Sequence, residues 1–316
     1  MPNEITINPF IIIKMLFDIA NISIDTLTDD AFTQKQVSVD ILRLDKIHPV
    51  VSGNKLFKLY YFLEECIITD HKTLLTFGGA YSNHLAATSF ACHSLGIKSI
   101  GVVRGEKTAS LSETLKQCVA HGMQLKFISR TDYAGKEETS FISELQKEFG
   151  EFLLVPEGGY HKKGVQGAAL ILNSVAEYNY THICIAVGTA TTLAGLLLAA
   201  QPGQTITAFP VLKNFTGINK RLQYLLGDTI KLKQLQVHGN YHFNGYAKKN
   251  EPLIEFMNQC WQKFQLPLDF VYTAKMFYGV VDTIKKDHFP KGSKILCIHT
   301  GGLQGNLSLP VDTLLY

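Results

Sequence analysis

The sequence predicts an α/β fold built on parallel sheets, and three observations support this prediction. The chain has 316 residues, 46% hydrophobic and 18% charged, which is enough to bury a full core in one or two domains without disulfides. Short apolar runs such as residues 182–187 recur along it, and most of them lead through a glycine-containing turn into a helical pattern. Continuous apolar strands that alternate with helices are typical of parallel sheets covered on both faces.

The elements follow one another as strand and helix in two stretches of the chain. The first stretch contains three predicted strands, each followed by a predicted helix: 73–77 with about 83–95, 99–103 with about 112–121, and 124–128 with about 136–149. The second stretch contains the strand 182–187 with a helix at 193–200, and the strands 205–211 and 294–299.

Charge, cysteine usage and the N-terminus indicate a cytoplasmic protein. The 30 basic and 27 acidic residues leave a net charge of +3, too small to indicate nucleic acid or an anionic membrane as a partner. The six cysteines form no C-x-x-C pair, and Cys184 and Cys297 lie in apolar runs, as expected of buried thiols in a reducing compartment. The apolar run 10–17 contains Lys14, is too short to span a bilayer and precedes no small-residue cleavage site.

Common nucleotide, hydrolase and zinc motifs do not occur. The chain has no G-x-G-x-x-G after a strand, no G-x-x-x-x-G-K-[ST] and no G-x-S-x-G. His238 and His242 have i,i+4 spacing, but Gly239 and Asn240 between them are poor helix formers, which favours surface histidines over a zinc site. We therefore expect no metal.

Ligands of open parallel sheets bind beyond the carboxyl ends of the strands, where glycine turns lead into helices. Four segments of the chain have this form: 78–84, 157–160, 188–192 and 299–302.

Lys55 follows Gly53-Asn54 at the start of a helical pattern. Alone, it would most simply be a solvated charge in a first helical turn. The positive end of the helix dipole disfavours a cation there, however, and lowers the pKa of the amine, which favours a Schiff-base role. The turn 188–192 carries three threonine hydroxyls and leads into a helix, so that it is either a phosphate site or an ordinary capped turn. A reactive lysine with a phosphate site, and no magnesium signature, suggests pyridoxal 5′-phosphate (PLP).

Five motifs follow one another along the chain: Ser52-Gly53-Asn54-Lys55, Ser82-Asn83-His84, Pro156-Glu157-Gly158-Gly159, Val271-Tyr272-Thr273-Ala274-Lys275-Met276 and His299-Thr300-Gly301-Gly302. With these motifs, the sequence resembles the 1-aminocyclopropane-1-carboxylate (ACC) deaminase/D-cysteine desulfhydrase family. The resemblance spans about residues 40 to 306. It implies a tryptophan-synthase-β-like (fold type II) PLP enzyme with two parallel-sheet α/β domains, in which residues 60–167 form a smaller domain inserted into a large PLP-binding domain of residues 1–59 and 168–316. It also implies a homodimer and a small amino-acid substrate.

The resemblance also implies a role for individual residues. Lys55 would bind the cofactor covalently and then shuttle the α-proton of the substrate, and Asn83 would hydrogen-bond the cofactor's phenolic oxygen. Tyr272 would stack near the ring and face the substrate, and Thr300 would offer its hydroxyl to the pyridine nitrogen. The predicted catalytic residues are Lys55, Tyr272 and Ser82. The predicted cofactor-binding residues are Lys55, Asn83, Gly188, Thr189, Ala190, Thr191, Thr192, Tyr272 and Thr300. The predicted substrate-binding residues are Ser82, which would hold the carboxylate, Asn83, His84 and Tyr160.

Two departures from the family pattern bear on the reaction. ACC deaminases resemble each other in placing Glu directly after the tyrosine, where this chain has Thr273, and they lack the threonine that is Thr300 here. A hydroxyl beside the pyridine nitrogen makes the ring a weaker electron sink than a carboxylate does. This predicts β-elimination of D-cysteine to pyruvate, ammonia and sulfide rather than cyclopropane opening. ACC deamination is the alternative activity.

The phosphate turn and two tyrosines also depart from the family pattern. Two glycines of the usual turn are Ala190 and Thr191, and a left-handed backbone angle at either position would be strained. Tyr81 and Tyr160 either narrow the pocket or simply pack.

Two other classes of function are open. One is a binding protein without turnover. The other is an unrelated enzyme with Ser82 and His84 as nucleophile and base, although residues two apart do not face each other on a helix.

Overall fold

The computed structural model describes residues 16, 21–48, 51, 53–106, 109–227 and 232–316. Most of the apolar run 10–17 and Ser52 of the lysine motif lie outside the described residues. Strands and helices alternate over most of the chain and form two sheets, which confirms the predicted α/β class.

The larger sheet has six strands in the order β1-β2-β10-β7-β8-β9. All neighbouring strands are parallel except β1 and β2, which form an antiparallel pair at one edge. This antiparallel edge departs from the purely parallel sheets that the sequence predicted. The strands are β1 (Ser23–Leu27), β2 (Ser38–Arg43), β7 (His182–Val187), β8 (Thr205–Pro210), β9 (Leu235–Val237) and β10 (Lys294–His299).

The smaller sheet has four parallel strands in the order β5-β4-β3-β6. They are β3 (Thr73–Gly78), β4 (Lys98–Arg104), β5 (Gln124–Ile128) and β6 (Leu153–Val155).

Helices flank both sheets, and their bounds agree with most predicted ones within a few residues. One difference lies near the predicted helix 136–149, which begins later, at Thr139, and is preceded by a short helix that was not predicted and that ends at Gly135. The helices are α1 (Asp30–Gln34), α2 (Lys55–Ile68), α3 (Asn83–Ser94), α4 (Glu113–Ala120), α5 (Arg130–Ala134), α6 (Thr139–Phe149), α7 (Lys162–Asn173), α8 (Thr191–Ala199), α9 (Ile218–Leu226), α10 (Glu251–Phe264) and α11 (Thr273–Lys285).

Strand β7 shows how the larger sheet is covered on both faces. Ile183 and Ile185 join the core formed with α2, α7 and α8, whereas Cys184 and Ala186 join the core formed with α10 and α11. All six residues of β7 are buried, which is why the strand is an unbroken apolar run in the sequence.

The predicted domain boundaries fall within helices rather than between elements. The four strands of the smaller sheet all lie in residues 60–167, but α2 spans the boundary at 59/60 and α7 spans that at 167/168. The boundaries stay a prediction. The six cysteines are buried and unpaired. Among the described residues, no helix has both the length and the apolar character needed to cross a bilayer.

Candidate functional site

Lys55 is the first residue of α2 and lies beside the turn that follows β10. A Cβ atom at Gly53 would come within 1.9 Å of the Thr300 carbonyl oxygen, and Gly53 has a left-handed φ of 84°. Only glycine therefore fits this contact. The structure thus brings Thr300, a predicted cofactor-binding residue, to the start of the lysine helix.

Asn54 joins Lys55 to the threonine turn. The Lys55 amine donates to Asn54 Oδ1 over 2.8 Å, and Asn54 Nδ2 donates to Thr192 Oγ1 over 2.7 Å. Asn54 is buried, so both bonds are shielded from water. The amine and the turn 188–192 therefore belong to one hydrogen-bonded group.

Tyr272 lies on the other side of this group. The Lys55 amine is 5.8 Å from the centre of its ring, and a Cβ atom at Gly188 would lie 3.1 Å from Tyr272 Cε1. The absence of a side chain at residue 188 lets the ring approach the turn. Lys55, Tyr272 and Gly188, all predicted site residues, meet here.

The amine of Lys55 is poised to lose its proton near neutral pH. Burial lowers the pKa of Lys55 to about 8, against an opposing effect of the Asp269 charge. A substantial fraction of the side chain is then the neutral, nucleophilic amine.

This pKa predicts how the stability of the cofactor-free protein changes with pH. The folded protein holds the Lys55 proton less tightly than the unfolded chain does, so stability should rise with pH between about 8 and the ordinary value of 10.5. Urea unfolding at several pH values across this interval measures the rise, and it should be smaller in Lys55→Met. Equal rises in the two proteins would show that Lys55 has an ordinary pKa.

The threonine turn enters α8 through Ala190, which has the left-handed φ of 70° and ψ of −1°. Of the two positions where the family usually has glycine, the strained angle falls on Ala190, whereas Thr191 begins the helix. The Thr189 and Thr191 hydroxyls lie 3.0 Å apart, and Thr191 and Thr192 are buried. The turn therefore combines threonine hydroxyls with the N-terminus of a helix, the elements from which a phosphate site is built.

Replacing Ala190 by glycine is expected to stabilise the protein by about 0.5–1 kcal/mol. Glycine removes the left-handed strain of about 1–2 kcal/mol but adds freedom to the unfolded chain. Urea unfolding measures the change. Ala199→Gly, at the end of the same helix, is the control and should lose about 0.5–1 kcal/mol. A loss of stability in both variants would contradict the strain at residue 190.

Lys58 is a site residue that the motifs did not identify. It is only 4% exposed, and its amine lies 3.8 Å from the position of a Cβ atom at Gly158, which Thr189 also contacts. Burial, and then the charge of Lys55, lower its pKa well below the usual value. No carboxylate among the described residues forms an ion pair with it. Its spacing of three from Lys55, which puts both on one helix face, was the signal available.

The Ser82-Asn83-His84 motif forms the start of α3, beside the turn that follows β10. Ser82 caps the helix by accepting from Leu85 N over 3.2 Å. Asn83 Oδ1 is buried without a hydrogen-bond partner, and Asn83 Nδ2 lies 3.0 Å from the position of a Cβ atom at Gly302. Asn83 thus reaches the turn that carries Thr300, with polar capacity left for a ligand.

His84 points into the protein rather than toward Ser82. Its Nε2 atom lies 2.9 Å from Thr76 Oγ1, and its ring is buried. Burial, followed by the charges of Lys58 and Lys55, lowers its pKa well below the usual value, so the ring is neutral. The structure gives no support to Ser82 and His84 as nucleophile and base, since Ser82 bonds to Leu85 instead.

Tyr160 packs on a neighbouring helix. Its ring stacks on Tyr224 with centroids 5.3 Å apart, and the Arg221 guanidinium lies 5.2 Å from its centre. The contacts of its ring are thus with α9 and not with Lys55 or Tyr272, and its substrate-binding role stays a prediction. Tyr81 is exposed.

Two further residues surround Tyr272. The Tyr246 hydroxyl lies 3.5 Å from the Tyr272 hydroxyl. The buried Asp269 carboxylate accepts from the backbone N–H groups of residues 271, 272 and 273 and from the Thr273 hydroxyl, over 2.7–2.9 Å. Asp269 therefore fixes the backbone at Tyr272. An aspartate shortly before a helix, where its carboxylate can accept from backbone N–H groups, was the available signal.

The arrangement fits PLP. The Lys55 amine, with its lowered pKa, lies near the threonine turn. The turn supplies hydroxyls and a helix N-terminus, and the buried Lys58 lies beside it. A bound phosphate would neutralise the protonated form of Lys58. The unpartnered Asn83 oxygen marks a polar position beside the turn after β10. The Lys55 amine could hold the aldehyde, the threonine turn with Lys58 could hold the phosphate, and Asn83 could bond the ring.

Comparison with known proteins agrees with this fit. Residues 32–301 match the model of a family described as pyridoxal-phosphate dependent enzyme. A putative ACC deaminase of Pyrococcus furiosus is 31% identical over 274 residues, which cover 81% of this chain and 82% of the relative. A mitochondrial bifunctional D-cysteine desulfhydrase/ACC deaminase of Arabidopsis thaliana is 30% identical, with 81% and 70% covered.

Solved structures show the same fold. The crystal structure of an ACC deaminase homologue has 26% identity and a TM-score of 0.78, with 90% of each chain covered. Serine racemase of Dictyostelium discoideum, at 16% identity, has a TM-score of 0.65, with 92% of this chain and 97% of that chain covered.

Proposed function

Because the chain belongs to the pyridoxal-phosphate dependent enzymes, and among them to the ACC deaminase/D-cysteine desulfhydrase family, we propose that it converts D-cysteine and water to pyruvate, ammonia and hydrogen sulfide. Its cofactor is PLP, which when bound supplies an electron sink for the charge that develops at the α-carbon of an amino acid. The observation that carries the proposal is the Lys55 amine, with a pKa of about 8, lying between Tyr272 and the threonine turn.

Different residues of the chain bind the cofactor, bind the substrate and transfer protons. The amine of Lys55 would hold the cofactor aldehyde and, as a neutral base, would move the α-proton of the substrate. Lys58, Thr189 and the N-terminus of α8 hold the phosphate. Ser82 and the N-terminus of α3 hold the substrate carboxylate. Burial, and then Tyr246, raise the pKa of Tyr272 well above its usual value, so its phenol stays protonated and can donate to the departing sulfur.

The residue after Tyr272 supports β-elimination over cyclopropane opening. Thr273 is buried, and its hydroxyl donates to Asp269 over 2.7 Å. The side chain at the position of the deaminase glutamate therefore carries no charge and is engaged within the protein. Loss of thiolate from the β-carbon needs a weaker electron sink than opening a ring that has no α-hydrogen.

A product screen with the purified, PLP-loaded protein tests the proposal. D-cysteine, L-cysteine and ACC are supplied separately, and keto acid and sulfide are both measured. Equal amounts of pyruvate and sulfide from D-cysteine support it. Keto acid from ACC without sulfide from D-cysteine favours the second candidate, ACC deamination, which the names of the relatives suggest. Covalently bound cofactor with no keto acid from any amino acid would indicate a binding protein without turnover.

We also propose that the enzyme works as a homodimer in the cytoplasm. The buried, unpaired cysteines are consistent with a reducing compartment. Light scattering at several protein concentrations measures the oligomeric state.

A further inference from the structure

Lys275 is a buried cation that neither the cofactor site nor the proposed reaction uses. It lies in the first turn of α11 and is 1% exposed. Its amine donates to two backbone carbonyls, those of His242 over 3.0 Å and Gly245 over 2.7 Å. A buried ammonium needs hydrogen-bond acceptors, and here both are backbone carbonyls of one loop, so this amine joins the loop to α11.

The loop that Lys275 holds has an unusual backbone. Phe243, Asn244, Gly245 and Ala247 all have positive φ angles, of 47°, 66°, 116° and 52°. Residues with a Cβ atom avoid positive φ angles. Phe243, Asn244 and Ala247 therefore keep this backbone only where surrounding contacts hold it. The bonds from Lys275 join residues 242 and 245 to α11 across this stretch.

The held loop carries a residue of the site. Tyr246 directly follows Gly245, and its hydroxyl lies 3.5 Å from that of Tyr272. Tyr272 directly precedes α11, and Asp269 fixes its backbone. Asp269, just before α11, therefore fixes the backbone at Tyr272, and Lys275, in the first turn of α11, holds the loop that carries Tyr246.

We propose that Lys275 is a positioning residue that sets Tyr246 against Tyr272 and so shapes the substrate side of the site. This inference rests on the proposed function, in which Tyr272 faces the substrate and Tyr246 lies beside it. Burial lowers the pKa of Lys275 to about 8 and the charge of Asp269 opposes this, so the cation is costly to keep where it is. Such a cost is typical of a residue retained for placement rather than for stability.

A double-mutant cycle tests whether Lys275 acts through Tyr246. Lys275→Met keeps the length of the side chain but loses the donors, and should lower kcat/KM by about tenfold to hundredfold, the effect of a charged hydrogen bond. In a Tyr246→Phe background the same substitution should cost much less, because the group that it places is already absent. Equal losses in both backgrounds would overturn the inference. Lys275→Arg keeps a charged donor and should recover part of the loss.

A second measurement does not depend on turnover. Hydrogen exchange of the PLP-loaded protein, followed by mass spectrometry, should be faster in peptides covering 239–248 in Lys275→Met, with exchange in α2 and α8 unchanged. Unchanged exchange in the loop would overturn the inference. Lys275→Gln replaces the methionine variant if that variant does not fold. If the wild type releases no keto acid from any amino acid, the proposed function fails, and the exchange measurement still decides the role of Lys275.

Discussion

Replacing Lys55 by alanine is expected to abolish covalent binding of the cofactor and to lower turnover by about 10⁴-fold, the upper end of what a positioned base contributes. The side chain provides both the amine that holds the aldehyde and the base that moves the α-proton, so one substitution removes two functions. Lys58 is not expected to substitute for either function, because its amine lies beside Gly158 and Thr189. Mass spectrometry after borohydride reduction should find the cofactor on the peptide that contains residue 55, and on no peptide of the variant.

Lys58→Ala is the matched control, since it removes a buried lysine one helical turn away. It should lower the affinity for the cofactor but leave the covalent link at Lys55, and turnover should recover at saturating PLP. Lys55→Ala should not recover at any PLP concentration. If borohydride fixed the cofactor on Lys58 in the wild type, the assignment of the two lysines would have to be exchanged.

Tyr272→Phe is expected to lower kcat by about 10²–10⁴-fold with a small change in KM, which is the range for loss of a proton-transfer group. Phenylalanine keeps the ring that packs on Gly188, so the variant removes only the hydroxyl. Burial and Tyr246 keep that hydroxyl protonated, and its loss should therefore fall on the step that transfers a proton rather than on binding.

Tyr180→Phe provides the comparison for this substitution. The Tyr180 hydroxyl donates to Asp40 Oδ2 over 2.9 Å on the larger sheet, and its removal should leave kcat unchanged. Steady-state kinetics of both variants with the substrate identified by the product screen measures the difference. An unchanged kcat in Tyr272→Phe would make the tyrosine a stacking residue.

The sequence predicted best those strands whose burial is uniform. Strands β7 and β10 were placed at their observed bounds because residues buried on both faces form unbroken apolar runs. Strand β1, with the sequence SIDTL, was missed because a half-exposed edge strand mixes polar with apolar residues. The antiparallel pairing of β1 with β2 is a tertiary property that no local pattern carries.

The motifs named residues that the structure brings close together, and omitted residues whose place depends on burial or on loop conformation. Lys55, Tyr272 and the turn 188–192 lie close together, and Asn83 reaches the turn after β10. Lys58 was missed because a lysine in an amphipathic helix is expected to be solvated unless its burial is known. Tyr246 was missed because its place beside Tyr272 depends on a loop with left-handed residues that Lys275 holds from another helix.

The contact of Gly53 with Thr300 also has a consequence for biosynthesis. Strand β2 is joined to β7, β8 and β9 through β10, and Gly53 packs on Thr300, the residue that follows β10. While residues 294–301 are still inside the ribosome, β2 lacks its partner strand β10 and Gly53 lacks its contact with Thr300. Such distant pairing is slow to form, so we expect the coenzyme to be captured only after translation is complete.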